Sequence, residues 1–106
     1  MARTVGLDYL AGNFEKAVDL LATSASDLRT RIRDAAIPDL VGFQPEDFPS
    51  EGDRTDYEFI EQQFHRAEPA GQAGSIETSL AAMSDEEVVK VATRIRKLEL
   101  SLRAQV

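Results

Sequence analysis

The sequence predicts an all-α fold, a small helical bundle of two long helices and one or two short helices with a proline-rich apolar connector. Two observations lead to this prediction. Apolar residues recur at steps of three and four over long segments, which is the period of an amphipathic helix. β-Branched residues are sparse, and no alternation of period two flanks a tight turn. We expect residues 1–106 to form a single domain, because the length suits one hydrophobic core.

The first helix is predicted to run from about residue 7 to about residue 36. Its apolar stripe contains Leu7, Leu10, Phe14, Ala17, Val18, Leu21, Ala25, Leu28 and Ile32. Gly12 interrupts the stripe at a cost of about 1 kcal/mol relative to alanine, and Asn13 is an alternative N-cap from which the helix would begin. We expect Pro38 to end the helix, because the residue before a proline is disfavoured in the α conformation.

A connector follows over residues 37–54. Its three prolines and two glycines stand too close together for a long regular element. The segment is nevertheless apolar, and it contains Phe43 and Phe48. The favoured interpretation is that it crosses the bundle and packs these side chains over the open end. The alternative is a partner-docking loop that presents both phenylalanines, since aromatic anchors dominate the energetics of interfaces.

The next helix is predicted over about residues 55–67. It places Tyr57, Ile60 and Phe64 on one face, and its acidic first turn suits the helix dipole. The segment EPAGQAGS, residues 68–75, then breaks the pattern with one proline and two glycines. We expect this segment to be a flexible linker.

Two further helices are predicted, a short one over about residues 76–83 and a long one over about residues 85–104. Ser84 and Glu87 have capping-box spacing, in which a hydroxyl and a carboxylate satisfy two otherwise unpaired backbone amides. The apolar stripe of the long helix contains Val88, Ala92, Ile95, Leu98 and Leu102. Two more apolar residues widen it, namely Val91 and Leu100. The last helix is therefore apolar on more than one side.

The composition is that of a folded protein, with 42% hydrophobic and 29% charged residues. The absence of cysteine excludes a disulfide framework and thiol chemistry. Asp8 and Glu15 interrupt the apolar pattern near the N-terminus, unlike the apolar core of a signal peptide. No run approaches the roughly 18 to 20 apolar residues that cross a membrane. We expect a cytoplasmic protein without a membrane segment.

The net charge of −7 is unevenly distributed along the chain. Residues 37–87 carry two basic and thirteen acidic side chains, whereas residues 88–106 carry five basic and one acidic. An overall acidic chain repels nucleic acid, while its basic last helix suits an acidic surface within the chain or on a second subunit.

The single histidine, His65, is the best candidate for catalytic or metal chemistry, because Glu58 and Glu61 share its predicted helical face. The spacing is Glu-x-x-x-His, however, and not the Glu-x-x-His of carboxylate-rich helical metal sites. A solvated Glu–His pair is the favoured interpretation. The serines and glycines form neither a nucleophile elbow nor a phosphate-binding loop. We expect no enzymatic activity, no cofactor and no metal.

The segment Thr-Arg-Ile-Arg occurs in both long helices, and its isoleucine falls on the apolar stripe each time. The flanking arginines, which lie about 100° to either side of the isoleucine, are Arg31, Arg33, Arg94 and Arg96. Such border positions suit a cationic side chain that covers apolar surface with its methylenes and reaches a carboxylate across the interface. The alternative is one basic patch, at the helix ends, that contacts nucleic acid.

These observations predict a non-enzymatic protein–protein interaction module, an accessory, adaptor or regulatory subunit that buries helix faces against a protein partner or a second copy. A two-fold homodimer is preferred, because isologous contact lets the basic last helix face the acidic middle of the chain. The predicted partner-binding residues are Phe43, Phe48, Arg31, Arg33, Arg94 and Arg96. The alternative function is a nucleic-acid-associated regulator that uses the arginine patch.

Overall fold

The fold is all-α, as predicted. The computed structural model describes residues 6–71 and 74–106, and these ranges contain no β-strand. The α-helices in them are α1 (Leu7–Thr23), α2 (Leu28–Ala35), α3 (Glu51–Phe64), α4 (Ser75–Ala82) and α5 (Asp85–Gln105). Residues 72–73, within the predicted flexible linker, and residues 1–5, within the predicted N-terminal segment, lie outside the described residues.

Helix α5 is the longest element, and it organises the core. Helices α1 and α3 pack against it, while α4 contacts both α2 and α3. The α5 side chains that enter the core are Val88, Val91, Ile95, Leu98 and Leu102. Ala92 and Leu100, which the sequence also assigned to the apolar stripe, are half-buried and exposed, respectively.

The structure has two helices where the sequence predicts one over residues 7–36. Helix α1 ends at Thr23, and α2 begins only at Leu28. The Asp27 carboxylate accepts the Thr30 amide at 3.0 Å and so caps α2, while the Ser26 amide donates to the Ser24 hydroxyl at 3.2 Å. Serine and aspartate side chains compete in this way for backbone groups that would otherwise continue a helix.

The predicted start near residue 7 is confirmed, but the alternative N-cap at Asn13 and the end at Pro38 were wrong. The helix begins at Leu7, and Asn13 is an interior residue that donates its side-chain amide to the Tyr9 carbonyl at 2.8 Å, so it is not an N-cap. Helical structure also continues past Pro38 as a π-helical turn over Ala36–Leu40. Proline supplies no amide to extend the α2 ladder, and the turn widens until the Val41 amide meets the Ala36 carbonyl at 3.0 Å.

The connector packs its aromatic side chains into the core. Phe43 and Phe48 are both buried, and Phe48 stacks on Tyr57 of α3 with 4.6 Å between ring centroids. Phe14 of α1 meets Phe48 edge-on at 6.0 Å. A 3₁₀ turn over Pro45–Asp47 interrupts the connector, which gives way to α3 at residue 51. The connector therefore crosses the bundle and covers its end.

The hydroxyl of Tyr57 holds the connector in place through two hydrogen bonds to its backbone. It donates to the Phe43 carbonyl at 3.1 Å and accepts the Phe43 amide at 3.2 Å. Both backbone groups of a buried connector residue are thereby satisfied, as burial requires. Burial raises the pKa of Tyr57 to about 12, with the charge of Glu61 acting in the same direction.

Caps decide where the later helices begin. Helix α3 starts at Glu51, earlier than the predicted residue 55, because the Ser50 hydroxyl accepts the Asp53 amide at 3.1 Å. It ends at Phe64, three residues before the predicted end. The capping box of α5 forms as predicted, since the Ser84 hydroxyl accepts the Glu87 amide at 3.2 Å and the Glu87 carboxylate accepts the Ser84 amide at 2.9 Å.

Candidate interaction surface

Helix α5 presents a second face to solvent, opposite the face that enters the core. Val89 is 53% exposed and Leu100 is 45% exposed, although both are large apolar residues. Eleven residues separate them, which is about three helical turns, so they lie on the same side of the helix. Residues of this kind are ordinary when isolated, and they become informative when neighbouring elements add apolar surface.

Neighbouring helices do add apolar surface at Val89. A shallow groove of about 300 Å³ runs between the end of α1, the start of α2 and the first half of α5. Its apolar lining is Val18, Leu21, Ala22, Leu28, Val89 and Ala92. The break between α1 and α2 creates this surface, because it brings Leu28 beside Val89 and Ala92. We refer to these six residues as the docking groove.

Arg96 forms the polar wall of the docking groove, together with Thr93. Its side chain is exposed and makes no ion pair with any described residue. A cation at the border of an apolar groove is typical of interaction surfaces, in which arginine is enriched. Of the four arginines in the repeated segments, Arg96 is therefore the one whose guanidinium has no hydrogen bond or ion pair with the described residues.

Arg31 and Arg33 bind other residues of the same chain. Arg31 donates from Nη1 to the Leu21 carbonyl and so ties α2 to the end of α1. Arg33 pairs with Asp34 at 3.1 Å and with Glu77 of α4 at 3.4 Å. The hydrogen bond that Arg33 donates to Asp34, followed by the charge of Asp34, raises the pKa of Arg33.

Arg94 also reaches a carboxylate of its own chain. It lies 3.3 Å from the buried side chain of Asp56 on α3, and its guanidinium lies 4.4 Å from the centroid of the Phe59 ring. Lys97 approaches the same carboxylate at 3.4 Å. The arrangement is the one that the sequence predicts for a border arginine, with methylenes along the bundle and the charge on a facing helix.

The six residues predicted to bind a partner do not form one surface. Phe43 and Phe48 are in the core, Arg31 and Arg33 bind α1 and α4, and Arg94 binds α3. Of the six, Arg96 alone borders the docking groove. Of the groove's apolar residues, Val18, Leu21, Leu28 and Ala92 stand on the predicted apolar stripes, whereas Ala22 and Val89 were not predicted. The contribution of Leu28 depended on the unpredicted helix break.

The candidate metal or acid–base residues do come together. Glu58, Glu61 and His65 line one open depression of about 380 Å³, which also borders the 3₁₀ turn of the connector. His65 Nδ1 lies 3.3 Å from the hydroxyl of Ser75. Across residues 6–71 and 74–106, however, no group of three or more histidine, aspartate or glutamate side chains is arranged to hold a metal ion.

Two absences complete the description. None of the described helices has both the length and the apolar character that crossing a membrane requires. Comparison with known protein families, with curated proteins and with solved structures finds no match to this chain. The surface itself is thus the basis for a functional argument.

Proposed function

We propose that this protein is a non-enzymatic interaction module, an accessory, adaptor or regulatory subunit, that receives an amphipathic helix of a protein partner in the docking groove. The observation that carries the proposal is the groove itself, in which three helices contribute apolar side chains to one exposed concave surface beside an unpaired arginine. Exposed apolar surface of this kind has a free-energy cost in water that a partner relieves.

The shape of the groove favours a helix as occupant. Leu21 near the end of α1 lies against the first half of α5, whereas Gly12 and Glu15 lie near Arg103 at its other end. The two helices are therefore antiparallel, and the seam between them extends along α5. A third helix fits such a seam by setting its side-chain ridges into the groove between the first two.

The charge of the site supports a protein partner over a nucleic acid. Arg33 and Arg94 of the suggested basic patch are paired with carboxylates of the chain, and the nearby cation Arg103 on α5 binds Glu99 at 2.7 Å. Phosphate binding depends on cations that are free to neutralise the nucleic-acid backbone. A cytoplasmic location forms part of the proposal, and the cysteine-free composition supports it.

A site-directed photo-crosslinker tests the proposed function. The crosslinking amino acid is placed at Thr93, on the wall of the groove, and at Glu58, another exposed position, on α3, in cells that make the protein. We expect a polypeptide adduct from Thr93, its loss when Val89→Asp is added, and no matching adduct from Glu58. Adducts that form equally at both positions, or that persist in the Val89→Asp background, would overturn the proposal.

A further inference from the structure

We infer that the occupant of the docking groove is a second copy of this chain, whose α5 lies antiparallel to the first α5 in a two-fold dimer. The inference rests on the proposed function, because it names the partner of the same surface. It depends on the order of side chains along the exposed face of α5, on the charges at the edge of the groove and on the direction of α1.

The exposed face of α5 carries a heptad pattern. Six exposed residues follow one another at alternating steps of three and four, and they are Glu86, Val89, Thr93, Arg96, Leu100 and Arg103. This spacing keeps them on one stripe along the helix, as in the contact seam of a coiled coil. The core-facing stripe of the same helix is separate, so α5 is able to pack on both sides at once.

The stripe is complementary to the same stripe on a second α5 that runs in the opposite direction. Val89 and Leu100 lie at equal distances from the midpoint of the stripe, so each faces the other when two copies of α5 run antiparallel. The same symmetry places Glu86 opposite Arg103. Apolar residues thus meet apolar residues, and a carboxylate meets a guanidinium.

A parallel pair would lose this complementarity. Each position would then face its own copy, which sets Glu86 against Glu86, Arg96 against Arg96 and Arg103 against Arg103. Like charges in direct opposition disfavour association. The charge order of the stripe therefore selects the antiparallel arrangement.

Helix α1 supplies a counter-charge where the two copies of Arg96 approach the symmetry axis. Asp19 follows Val18 on α1 and lines the adjoining depression, which shares Val18 and Ala22 with the docking groove and also reaches Arg103. Since α1 is antiparallel to α5, Asp19 lies near the level of Arg96. Asp19 is exposed and makes no ion pair with a described residue, so it is free to receive Arg96 of the second copy.

Arg103 is already oriented for its role in the dimer. Its Nη2 and Nε donate to the buried carboxylate of Glu99, which holds the guanidinium on the outer side of α5. The side chain nevertheless remains 62% exposed, and a guanidinium has five N–H donors. It is thus able to contact Glu86 of the second copy without releasing Glu99.

Disulfide mapping tests the register of the two α5 helices. Because the chain has no cysteine of its own, every disulfide must come from the introduced residues. Val89→Cys and Leu100→Cys are prepared as separate proteins and oxidised alone and as an equal mixture. In the antiparallel dimer, the two copies of residue 89 lie about 16 Å apart along the helix axis, which is too far for a disulfide. The same distance separates the two copies of residue 100. We expect a covalent dimer in the mixture and none in either protein alone.

Sedimentation of the unmodified chain provides the second measurement. We expect a dimer that Val89→Asp converts to monomer, while Ile37→Asp, at a 71% exposed position on the π-helical turn, leaves it dimeric. Circular dichroism of each variant verifies that the helices persist. A dimer that survives Val89→Asp would overturn the inference.

The remaining outcomes separate this inference from the proposed function. Disulfides in each single variant, with only 89–89 and 100–100 linkages in the mixture, would show a parallel dimer and overturn the antiparallel arrangement. A monomer without disulfides, together with a Val89-dependent adduct of Thr93 to a different polypeptide, would overturn the second copy as occupant and leave the interaction function standing. A monomer that forms no adduct at all would overturn both.

Discussion

Arg94 on α5 holds the buried carboxylate of Asp56 on α3, with 3.3 Å between Nη1 and Oδ1. The carboxylate side chain is only 7% exposed, whereas the Arg94 side chain is 38% exposed. Lys97 contributes a second contact, at 3.4 Å to Oδ2, from a side chain that is largely in solvent. A desolvated carboxylate depends strongly on the cation that best shares its burial.

Replacing Arg94 by alanine is therefore expected to lower the free energy of unfolding by about 1–3 kcal/mol, because Asp56 loses a charged hydrogen bond in a buried position. The matched variant Lys97→Ala is expected to cost at most about 1 kcal/mol, since its side chain is mostly solvated. Urea unfolding measures both effects. Equal losses in the two variants would contradict the greater weight given to Arg94.

The hydroxyl of Tyr57 is expected to contribute to stability through the connector. Tyr57→Phe leaves the buried amide and carbonyl of Phe43 without their partner and should cost about 1–3 kcal/mol. Tyr9→Phe is the matched control, because the Tyr9 ring is 61% exposed, and it should change stability by no more than about 0.5 kcal/mol. Thermal unfolding compares the two variants. Unchanged stability in Tyr57→Phe would show that the hydroxyl does not stabilise the connector.

Alkaline pH should destabilise the protein through the same residue. The pKa of Tyr57 is raised from its ordinary value of 10.0 to about 12, so the folded state keeps a proton that the unfolded state releases earlier. The resulting stability is complete below pH 10 and is lost as pH rises toward 12. Unfolding measured across this range should show a decline that Tyr57→Phe reduces, and an unchanged decline in that variant would assign it to other groups.

Acid should destabilise the start of α5. The pKa of Glu87 is lowered from 4.5 to about 2, first by the hydrogen bond from the Ser84 amide and then by Arg66, whose Nη1 lies 2.6 Å from Oε2. A depressed pKa adds stability above pH 4.5, and that stability is lost as pH falls toward 2. Glu87→Gln should flatten this acid-range loss.

Ser84→Ala is the informative comparison for the Glu87 prediction. It removes the hydroxyl cap and leaves the backbone amide that binds Glu87, so it should cost about 1 kcal/mol over the whole pH range. The acid-range loss should remain in this variant. If Ser84→Ala flattened the loss as strongly as Glu87→Gln, the hydroxyl and not the amide would control the titration of Glu87.

Charge reversal at the proposed dimer axis gives a last prediction. Arg96→Asp should weaken dimerisation several-fold, because Asp19 then meets a like charge. The double variant with Asp19→Arg should recover most of the lost affinity, since the pair is restored in reverse. Sedimentation equilibrium measures both constants, and the difference between them should shrink at high salt. A double variant as weak as the single one would exclude this pair.

The sequence predicted the fold class and the α5 cap because both depend on local information. Ser84 and Glu87 lie within one helical turn, and their spacing alone specifies the reciprocal hydrogen bonds. The break after Thr23 escaped prediction because the apolar period continues through it and Leu28 stays in register. Ser24 and Asp27 were visible in the sequence, but serine and aspartate at these positions are compatible with a solvated helix face as well as with a break.

The candidate surface was predicted only in part. The width of the α5 stripe indicated a second face, and the position of Arg96 at its border followed from helical geometry. Composition alone did not decide whether Phe43 and Phe48 were core or docking residues, because an aromatic side chain serves both purposes. The tertiary contact with Tyr57 shows that both phenylalanines are core residues. The groove could not be predicted without knowing the direction in which α2 leaves α1, because that direction places Leu28.

The short length of α2 has a consequence for the integrity of the docking groove. An isolated helix of eight residues is unstable in water, so α2 depends on tertiary contacts to form. Arg29 supplies such contacts by donating to the carbonyls of Leu80 and Met83, which lie 51 and 54 residues later in the chain. The position of Leu28 therefore depends on the packing of α4 as well as on its contacts with α1. A chain whose C-terminal half is unfolded is expected to lack the finished docking groove.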